Sequence, residues 1–323
     1  MMDRNTLTAL LLITLVLILT PYYMEMVSPT VPILEESMDE KLKQETQSVE
    51  YREYEGDTDD RNELVTSLKK TEETTIKIEN DLYIATISSI CGGSIKSFEI
   101  KKHLKHDSSF VNLVTVENTK NLLVEFKDFN GKQIQLDEGW ASQSKADSYY
   151  IDEARSITYT NVLDNRMITK VLTFYPDRFL IDIDIDITSL ANSTLANNYT
   201  LTWFGGIPPT EKDSVTESTY FYSYLYQGGE LLDVKVSQGE TFVNDYKGQT
   251  DWVATRSKYF TTCLLDDSGG QFSGSTISAS YEKKELYDLS VSLQSDKIAN
   301  ISLYLGPLEY ERIKSLGVNL ESV

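Results

Sequence analysis

Three aspartates that alternate with isoleucine are the first residues in this sequence that could do chemistry. Asp182, Asp184 and Asp186 lie in the stretch RFLIDIDIDITS, and carboxylate oxygens are the ligands that calcium prefers. The stretch departs from a calcium loop, because Ile187 stands in place of the turn glycine and Ser193 in place of the bidentate glutamate. Alternate carboxylates on one strand also lie about 7 Å apart, too far to share one small cation without other ligands. We therefore predict no metal site here.

The same alternation predicts a β-strand with one buried face and one wet face. A period of two places every second side chain on the same side of an extended chain. The aspartates would then face solvent, where charged side chains also deter unwanted pairing at a sheet edge. The side chains predicted to face the core are those of Ile181, Ile183, Ile185 and Ile187.

The two histidines are the candidates for proton transfer. His103 and His106 occur in KKHLKHD, and the neighbouring lysines predict an exposed loop rather than a metal site. Mutarotase-like catalysis would require a histidine and a carboxylate that converge in a cleft. The sequence also lacks a P-loop, a GxSxG motif and an HExxH motif. We predict no catalytic, cofactor-binding or metal-binding residues and no cofactor.

The two cysteines, Cys91 and Cys263, lie far apart in the sequence and in no metal-binding spacing. A disulfide between them is one interpretation, if the protein folds in an oxidising compartment. A pair of buried free thiols is the other. The sequence leaves both open.

Four tyrosines with a period of two form a candidate binding face. Tyr220, Tyr222, Tyr224 and Tyr226 lie in TYFYSYLYQGG, and a strand would place their rings on one side. Such a row can stack on sugars or anchor a protein partner. It can also provide cross-strand packing within a sheet.

The strong negative charge of the chain argues against two classes of partner. The 323 residues include 50 Asp+Glu against 30 Lys+Arg, which gives a formal net charge of −20. Nucleic acid requires a basic surface that neutralises its phosphates. Docking on anionic lipid headgroups through a basic patch requires the same. We expect no nucleic-acid partner.

Two segments precede the first predicted strand. Asn5–Met24 carries no charged residue, and as a helix it would span about 30 Å, the thickness of a bilayer core. No A-x-A-like cleavage site follows, so residues 1–24 are predicted to be an uncleaved transmembrane anchor rather than a signal peptide. Arg4 precedes the span and the next basic residue is Lys41, which favours a cytoplasmic N-terminus. Residues 25–74 are rich in Glu, Asp, Ser and Thr and are predicted to be a flexible acidic linker.

Residues 75–323 have the pattern of an antiparallel β-domain. Short runs with a period of two are separated by turn signals such as Asn80–Asp81 and Gly92–Gly93. Many strands without intervening helices predict an antiparallel sandwich. A short C-terminal helix is predicted to open at Pro307 and to close at Gly317.

Five stretches, in this order, resemble the bacterial YidC (YidC/Oxa/Alb) family of membrane protein insertases. MDRN precedes the apolar span and the polar linker. IKIENDLYIATISSICGGSIKSFEIKKH is similar to the family's first extracytoplasmic strands, and VLTFYPDRFLIDIDIDITS to its strand–turn–strand segment. DWVATRSKYFTTCLL resembles the W-V-A…Y-F signature, carried by Trp252, Val253, Ala254, Tyr259 and Phe260. LYLGPLEYERIKSLGVNLESV resembles the closing motif, carried by Gly306, Pro307, Tyr310 and Leu316.

The resemblance implies a fold, partners and a location. It implies a β-super-sandwich of the galactose-mutarotase-like type in the periplasm, anchored in the inner membrane by the N-terminal helix. It implies the Sec translocon and nascent membrane proteins as partners. The family continues into a five-span membrane domain that performs insertion. This sequence stops at Val323 before such a domain, so we expect a truncated or split product with no insertion-active residue.

The predicted function is a non-catalytic, membrane-anchored extracytoplasmic domain of an insertase, acting as a scaffold or docking surface. The alternative is a carbohydrate-binding or mutarotase-like sugar-modifying protein, because a fold alone does not determine a function. A histidine and a carboxylate in one cleft would favour the alternative.

Overall fold

Antiparallel strands make up most of the chain that the computed structural model describes. The described residues are 71–105, 107–115 and 120–323, together with Thr14 and Leu19. In chain order the strands are β1 (Thr75–Glu79), β2 (Tyr83–Ser88), β3 (Ser94–Leu104), β4 (Phe110–Asn112), β5 (Leu123–Asp128), β6 (Gln133–Gln135), β7 (Ala141–Ser142), β8 (Ser148–Tyr150), β9 (Arg155–Leu163), β10 (Arg166–Phe174), β11 (Leu180–Asp186), β12 (Thr194–Trp203), β13 (Tyr222–Gln227), β14 (Glu230–Val234), β15 (Thr241–Lys247), β16 (Thr250–Arg256), β17 (Phe260–Asp266), β18 (Gly274–Tyr281), β19 (Glu285–Gln294) and β20 (Ala299–Pro307). Two short helices, α1 (Ser214–Ser218) and α2 (Tyr310–Lys314), follow β12 and β20.

The strands of the described residues form three sheets. The five-stranded sheet has the order β4-β3-β2-β1-β8, and the six-stranded sheet has the order β15-β18-β19-β12-β5-β6. The nine-stranded sheet has the order β14-β13-β16-β17-β20-β11-β10-β9-β7. Paired strands are antiparallel except that β8 runs parallel to β1. The predicted antiparallel β architecture is confirmed.

Strand β11 carries the aspartate row, and its predicted faces are confirmed. Ile181, Ile183 and Ile185 are fully buried, whereas the aspartates between them are only half-buried. The strand lies between β10 and β20, where Ile183 pairs with Leu172 on one side and Ile301 on the other. A strand with neighbours on both sides has no free edge. The expectation that the aspartates protect a sheet edge is therefore wrong.

One apolar core connects the three sheets. Strand β16 of the nine-stranded sheet packs against β18 and β19 of the six-stranded sheet. The five-stranded sheet reaches the same core through Tyr83, whose ring centroid lies 6.1 Å from that of Phe179. The largest fully buried side chains include Trp140, Trp203 and Trp252.

The predicted turn at Gly92–Gly93 is confirmed, and its glycines have steric reasons. Their φ angles of 66° and 108° lie in the left-handed region that favours glycine. A Cβ on Gly92 would lie 2.7 Å from the ring of Trp140, and one on Gly93 would lie 2.7 Å from Leu172. Packing and backbone conformation therefore select the same residue type.

The predicted C-terminal helix is present, with a different start. Pro307 is the last residue of β20, and α2 begins three positions later, at Tyr310. Proline has no backbone N–H to donate to a β-ladder or to a preceding helical turn. It therefore suits the end of a strand as well as the start of a helix. Gly317 follows the helix with a φ of 73°.

The predicted anchor (residues 1–24), apart from Thr14 and Leu19, and nearly all of the predicted linker (residues 25–74) lie outside the described residues. Within the part that the structure describes, no helix has the length and apolar character needed to cross a membrane. The described strands all belong to one compact unit, Asp60–Val323.

Candidate functional site

A cleft of about 630 Å³ is the main candidate site. Its walls are the end of β3, strand β4, the loop between β12 and α1, and the turn between β16 and β17. Apolar surface comes from Leu104, Val111, Tyr259 and Phe260. This volume lies within the range of protein sites that bind small ligands.

The buried carboxylate of Glu217, in α1, holds the loop that forms one wall. It accepts hydrogen bonds from the N–H of Thr210, at 2.8 Å, and from the N–H of Glu211, at 2.9 Å. The hydroxyl of Thr210 donates to the same carboxylate at 2.8 Å. A buried side chain thereby satisfies loop donors that would otherwise lack partners. Sequence reasoning missed Glu217, since nothing distinguishes it from the other acidic residues of the chain.

Glu211 joins that loop to the turn between β16 and β17. Lys258 Nζ lies 3.1 and 3.2 Å from its two carboxylate oxygens, and the hydroxyl of Tyr259 donates to it at 2.7 Å. The hydrogen bonds from Tyr259 and Lys258 lower the pKa of Glu211. The Glu211 charge is therefore matched by a cation and a donor of the protein itself.

Asp213 also has its own partners, because it caps the N-terminus of α1. Thr216 donates to it through its hydroxyl at 2.7 Å and through its N–H at 3.1 Å. These bonds lower the pKa of Asp213. Neither carboxylate of the cleft is a free proton donor at neutral pH.

His103 lies in the same cleft, which corrects two expectations. It belongs to strand β3 rather than to a loop, and its ring packs edge-on against Phe260 with centroids 5.3 Å apart. Its Nδ1 atom is buried and has no hydrogen-bond partner among the described residues. A histidine does therefore share a cleft with the carboxylates of Glu211 and Asp213. His106 lies outside the described residues.

The aspartate row of β11 has partners within the protein, one just after β10 and one on β20. The hydroxyl of Tyr175 donates to Asp182, and the amide of Asn300 donates to Asp184 at 2.6 Å. Within the described residues, no group of His, Cys, Asp and Glu side chains is placed to hold a metal ion.

Asp267 approaches this row and was not anticipated from the sequence. The hydroxyl of Ser302 lies 3.0 Å from Asp182 Oδ1 and 2.7 Å from Asp267 Oδ2. A hydroxyl has one proton to donate, so the two carboxylates compete for it. Partial burial, with the charges of the nearby aspartates, raises the pKa of Asp267 to about 6.

The tyrosine row is divided among different environments. Tyr222, Tyr224 and Tyr226 lie on one face of β13, but Tyr220 precedes the strand, so the four do not form one row. Tyr226 stacks on Trp252 with centroids 5.6 Å apart, and Asn319 donates to the Tyr226 hydroxyl at 3.2 Å. These contacts within the protein account for the aromatic side chain at position 226.

Tyr222 and Tyr224 contact each other. Their rings stack with centroids 5.9 Å apart, and Lys235 Nζ lies 4.2 Å from the centroid of Tyr222. All three tyrosines of β13 are half-buried, and Tyr224 and Tyr226 pack against the core.

Both cysteines are free thiols and both are buried, so the disulfide alternative is wrong for this structure. Cys91 lies at the Gly92–Gly93 turn with a φ of 55°, and Cys263 lies in β17. Burial raises the pKa of each thiol. A buried thiol with a raised pKa is a weak nucleophile, and neither cysteine lines the cleft.

A family comparison identifies the β-domain. A sequence model of the YidC periplasmic domain matches residues 75–323. Membrane protein insertase YidC of Chlorobaculum tepidum is 31% identical over 78% of this chain and 44% of its own length. Membrane protein insertase YidC of Prosthecochloris aestuarii is 28% identical over 100% of this chain and 57% of its own length. This chain thus spans about half the length of these relatives.

Solved structures show a more distant likeness. A protein from Escherichia coli K12 that is assigned as an aldose 1-epimerase superposes with a TM-score of 0.44 at 9% identity, over 72% of this chain and 99% of that chain. At this score and identity the likeness carries no information about the activity of this chain. The family match and the curated relatives confirm the resemblance found in the sequence. This chain belongs to the YidC family of membrane protein insertases, and residues 75–323 correspond to that family's periplasmic domain.

Proposed function

We propose that residues 75–323 act as a non-catalytic docking domain on the periplasmic side of the inner membrane. Its partners would be components of the Sec translocon and nascent membrane proteins. Residues 1–24 would anchor it with the N-terminus in the cytoplasm, and residues 25–74 would be the linker. The match of residues 75–323 to the YidC periplasmic domain is the observation that carries this proposal.

The geometry of the cleft favours docking over catalysis. Mutarotation requires an acid and a base that are free to exchange protons with the sugar. Glu211 is held by Lys258 and Tyr259, and Asp213 caps α1. Lowered pKa values keep both carboxylates ionised, so neither supplies a general acid near neutral pH.

Photo-crosslinking in cells tests the docking function. Leu104 lines the cleft and is 59% exposed, so a benzophenone amino acid there should leave the fold intact. Met167, at the start of β10, is 63% exposed and provides the matched control. We expect crosslinks from position 104, but not from position 167, to translocon subunits or to nascent membrane proteins. Absence of such crosslinks from position 104 would contradict the proposal.

A second function, mutarotase-like catalysis, has one observation in its favour: His103 shares the cleft with two carboxylates. Polarimetry on glucose and galactose tests it directly. We expect no mutarotation above the buffer rate. A rate that disappears in His103→Ala but persists in the control Lys283→Ala would make the docking proposal wrong as stated.

A further inference from the structure

The cleft has an apolar floor and a cationic rim, and this combination defines the chemistry of its partner. We propose that it binds a short, extended peptide segment in which a large apolar side chain stands next to a carboxylate. The inference rests on the proposed docking function and adds to it the chemical class of the segment that is recognised.

The rim offers two ammonium groups that have no partner among the residues that the structure describes. Lys102 and Lys212 are exposed, and neither takes part in a hydrogen bond or ion pair with any described residue. The carboxylate of Glu211, in contrast, is matched by Lys258. Asp213 accepts hydrogen bonds from the N–H and the hydroxyl of Thr216 and keeps its negative charge. The three lysines around the cleft outnumber its two carboxylates by one formal charge, so an incoming carboxylate would meet a net positive rim.

The floor supplies the apolar half of the site. Phe260 and Val111 are buried, and Leu104 extends the apolar surface outward. The ring of His103 stands edge-on to Phe260 and adds to this floor. A large apolar side chain would cover this floor, as anchoring side chains do in protein interfaces.

A peptide fits this place better than an acyl chain. The wall that contains Val111 is β4, which is the outermost strand of the five-stranded sheet and, among the described strands, pairs with β3 alone. An edge strand leaves backbone N–H and C=O groups on its free side, and an extended peptide can pair with them. An acyl chain has no donors or acceptors that could use such an edge.

The test measures binding of short fluorescein-labelled peptides to the full 323-residue chain by fluorescence polarisation. The first peptide alternates Phe with Asp, the second has Asn in place of Asp, and the third has Lys. We expect the acidic peptide to bind most tightly and the basic peptide most weakly. High salt should weaken the acidic peptide selectively, because exposed charge pairs are screened.

Variants locate the site. The double variant Lys102→Ala/Lys212→Ala should weaken the acidic peptide roughly threefold to tenfold, as expected for two exposed charge pairs, and should leave the Asn peptide unchanged. Leu104→Ser should weaken all three peptides. Lys283→Ala, an exposed lysine in the turn between β18 and β19, is the matched control and should change nothing.

Three results would overturn the proposal. Equal affinity for the Asp and Asn peptides would remove the carboxylate from the recognised chemistry. Full affinity in Lys102→Ala/Lys212→Ala would place the binding elsewhere. Laurate that binds more tightly than the acidic peptide would assign the site to an acyl chain. If crosslinks from position 104 persist in any of these cases, only the chemistry inferred here fails, and the docking function stands.

Discussion

Both hydrogen-bond donors of Thr210 donate to one buried carboxylate, that of Glu217. The N–H of Thr210 lies 2.8 Å from Glu217 Oε2, and its hydroxyl lies 2.8 Å from Oε1. The N–H of Glu211 adds a third donor to the same carboxylate. The loop wall of the cleft is therefore held by a side chain from α1 rather than by strand pairing.

Replacing Glu217 by Ala should destabilise the protein by about 3 kcal/mol, because several buried donors lose their acceptor. Glu217→Gln should cost less, since one oxygen remains. Chemical denaturation measures both values. The exposed Glu282→Ala is the control and should stay within about 0.5 kcal/mol of the wild type. An equally small effect in Glu217→Ala would show that the loop does not depend on this carboxylate.

Substitutions on the two faces of β11 should differ greatly in their effect on stability. Asp184→Asn should change the unfolding free energy by less than about 1 kcal/mol, because the side chain is half-buried and Asn can still bond to Asn300. Ile183→Asp should cost several kcal/mol, because it buries an unpaired charge. Thermal melts with and without calcium complete the test. Calcium that stabilises the wild type but not Asp184→Asn would reveal a metal site at this row.

The side chain of Glu285 should make the protein less stable as the pH rises. It is 8% exposed, its Oε2 atom has no hydrogen-bond partner among the described residues, and burial raises its pKa to about 7 from 4.5. The folded state binds this proton more tightly than the unfolded state does. The stabilisation that comes from this bound proton is therefore complete below about pH 4.5 and is lost as the pH rises through about 7.

Glu285→Gln isolates this effect, because the amide keeps the shape without the ionisation. Between about pH 5 and pH 8, the unfolding free energy of the wild type should fall by about 2 kcal/mol more than that of Glu285→Gln. Urea denaturation at several pH values gives both curves. Parallel curves would mean that Glu285 ionises normally.

Lys170 should have the opposite pH dependence. Its fully buried ammonium donates to the carbonyl oxygens of Cys91, at 2.9 Å, and Leu122, at 2.5 Å. Burial lowers its pKa to about 8 from 10.5. Between these values the unfolded state binds the proton that the folded state has lost, so stability rises with pH.

Lys170→Met is the comparison for that prediction, since it fills similar space without a charge. From about pH 8 to about pH 10.5, the wild type should gain about 2 kcal/mol relative to this variant. Both proteins contain the same buried tyrosines, so the contribution of these tyrosines cancels when the two unfolding free energies are subtracted. A constant difference across this pH range would show that the lysine keeps an ordinary pKa.

The predicted topology can be tested on the intact chain. The uncharged run Asn5–Met24 should remain in the mature protein and should hold it in the membrane during carbonate extraction. Residues 75–323 should become accessible to protease once the outer barrier is removed. Mass spectrometry measures the mature N-terminus. A mature N-terminus near residue 25 would show that the segment is a cleaved signal peptide.

Local patterns predicted local structure well. The alternation of Ile183 and Asp184 predicted their two faces, because successive side chains of any extended strand point to opposite sides. Gly92 and Gly93 predicted a turn because only glycine adopts such φ angles without strain. The resemblance to the YidC family was also readable, since its motifs occur in a specific order along the chain.

Neighbours across sheets could not be read in this way. The period of β11 did not show that it lies inside a nine-stranded sheet, with Asn300 and Ser302 opposite its aspartates. His103 was expected in a loop because of its lysine neighbours, yet β3 continues to Leu104. Local composition could not reveal that β4 pairs with this end of the strand.

The β class, the family, the turns and the sides of the strands follow from the amino-acid sequence, because they depend on residue patterns along the chain. Sheet packing forms the cleft, where His103, Glu211 and Tyr259 meet from three separate elements. The tertiary structure also decided that Glu217 supports a loop and that Cys91 and Cys263 stay apart as buried thiols. Such contacts join residues far apart in the chain. They depend on how whole sheets pack, and no pattern within one segment encodes that.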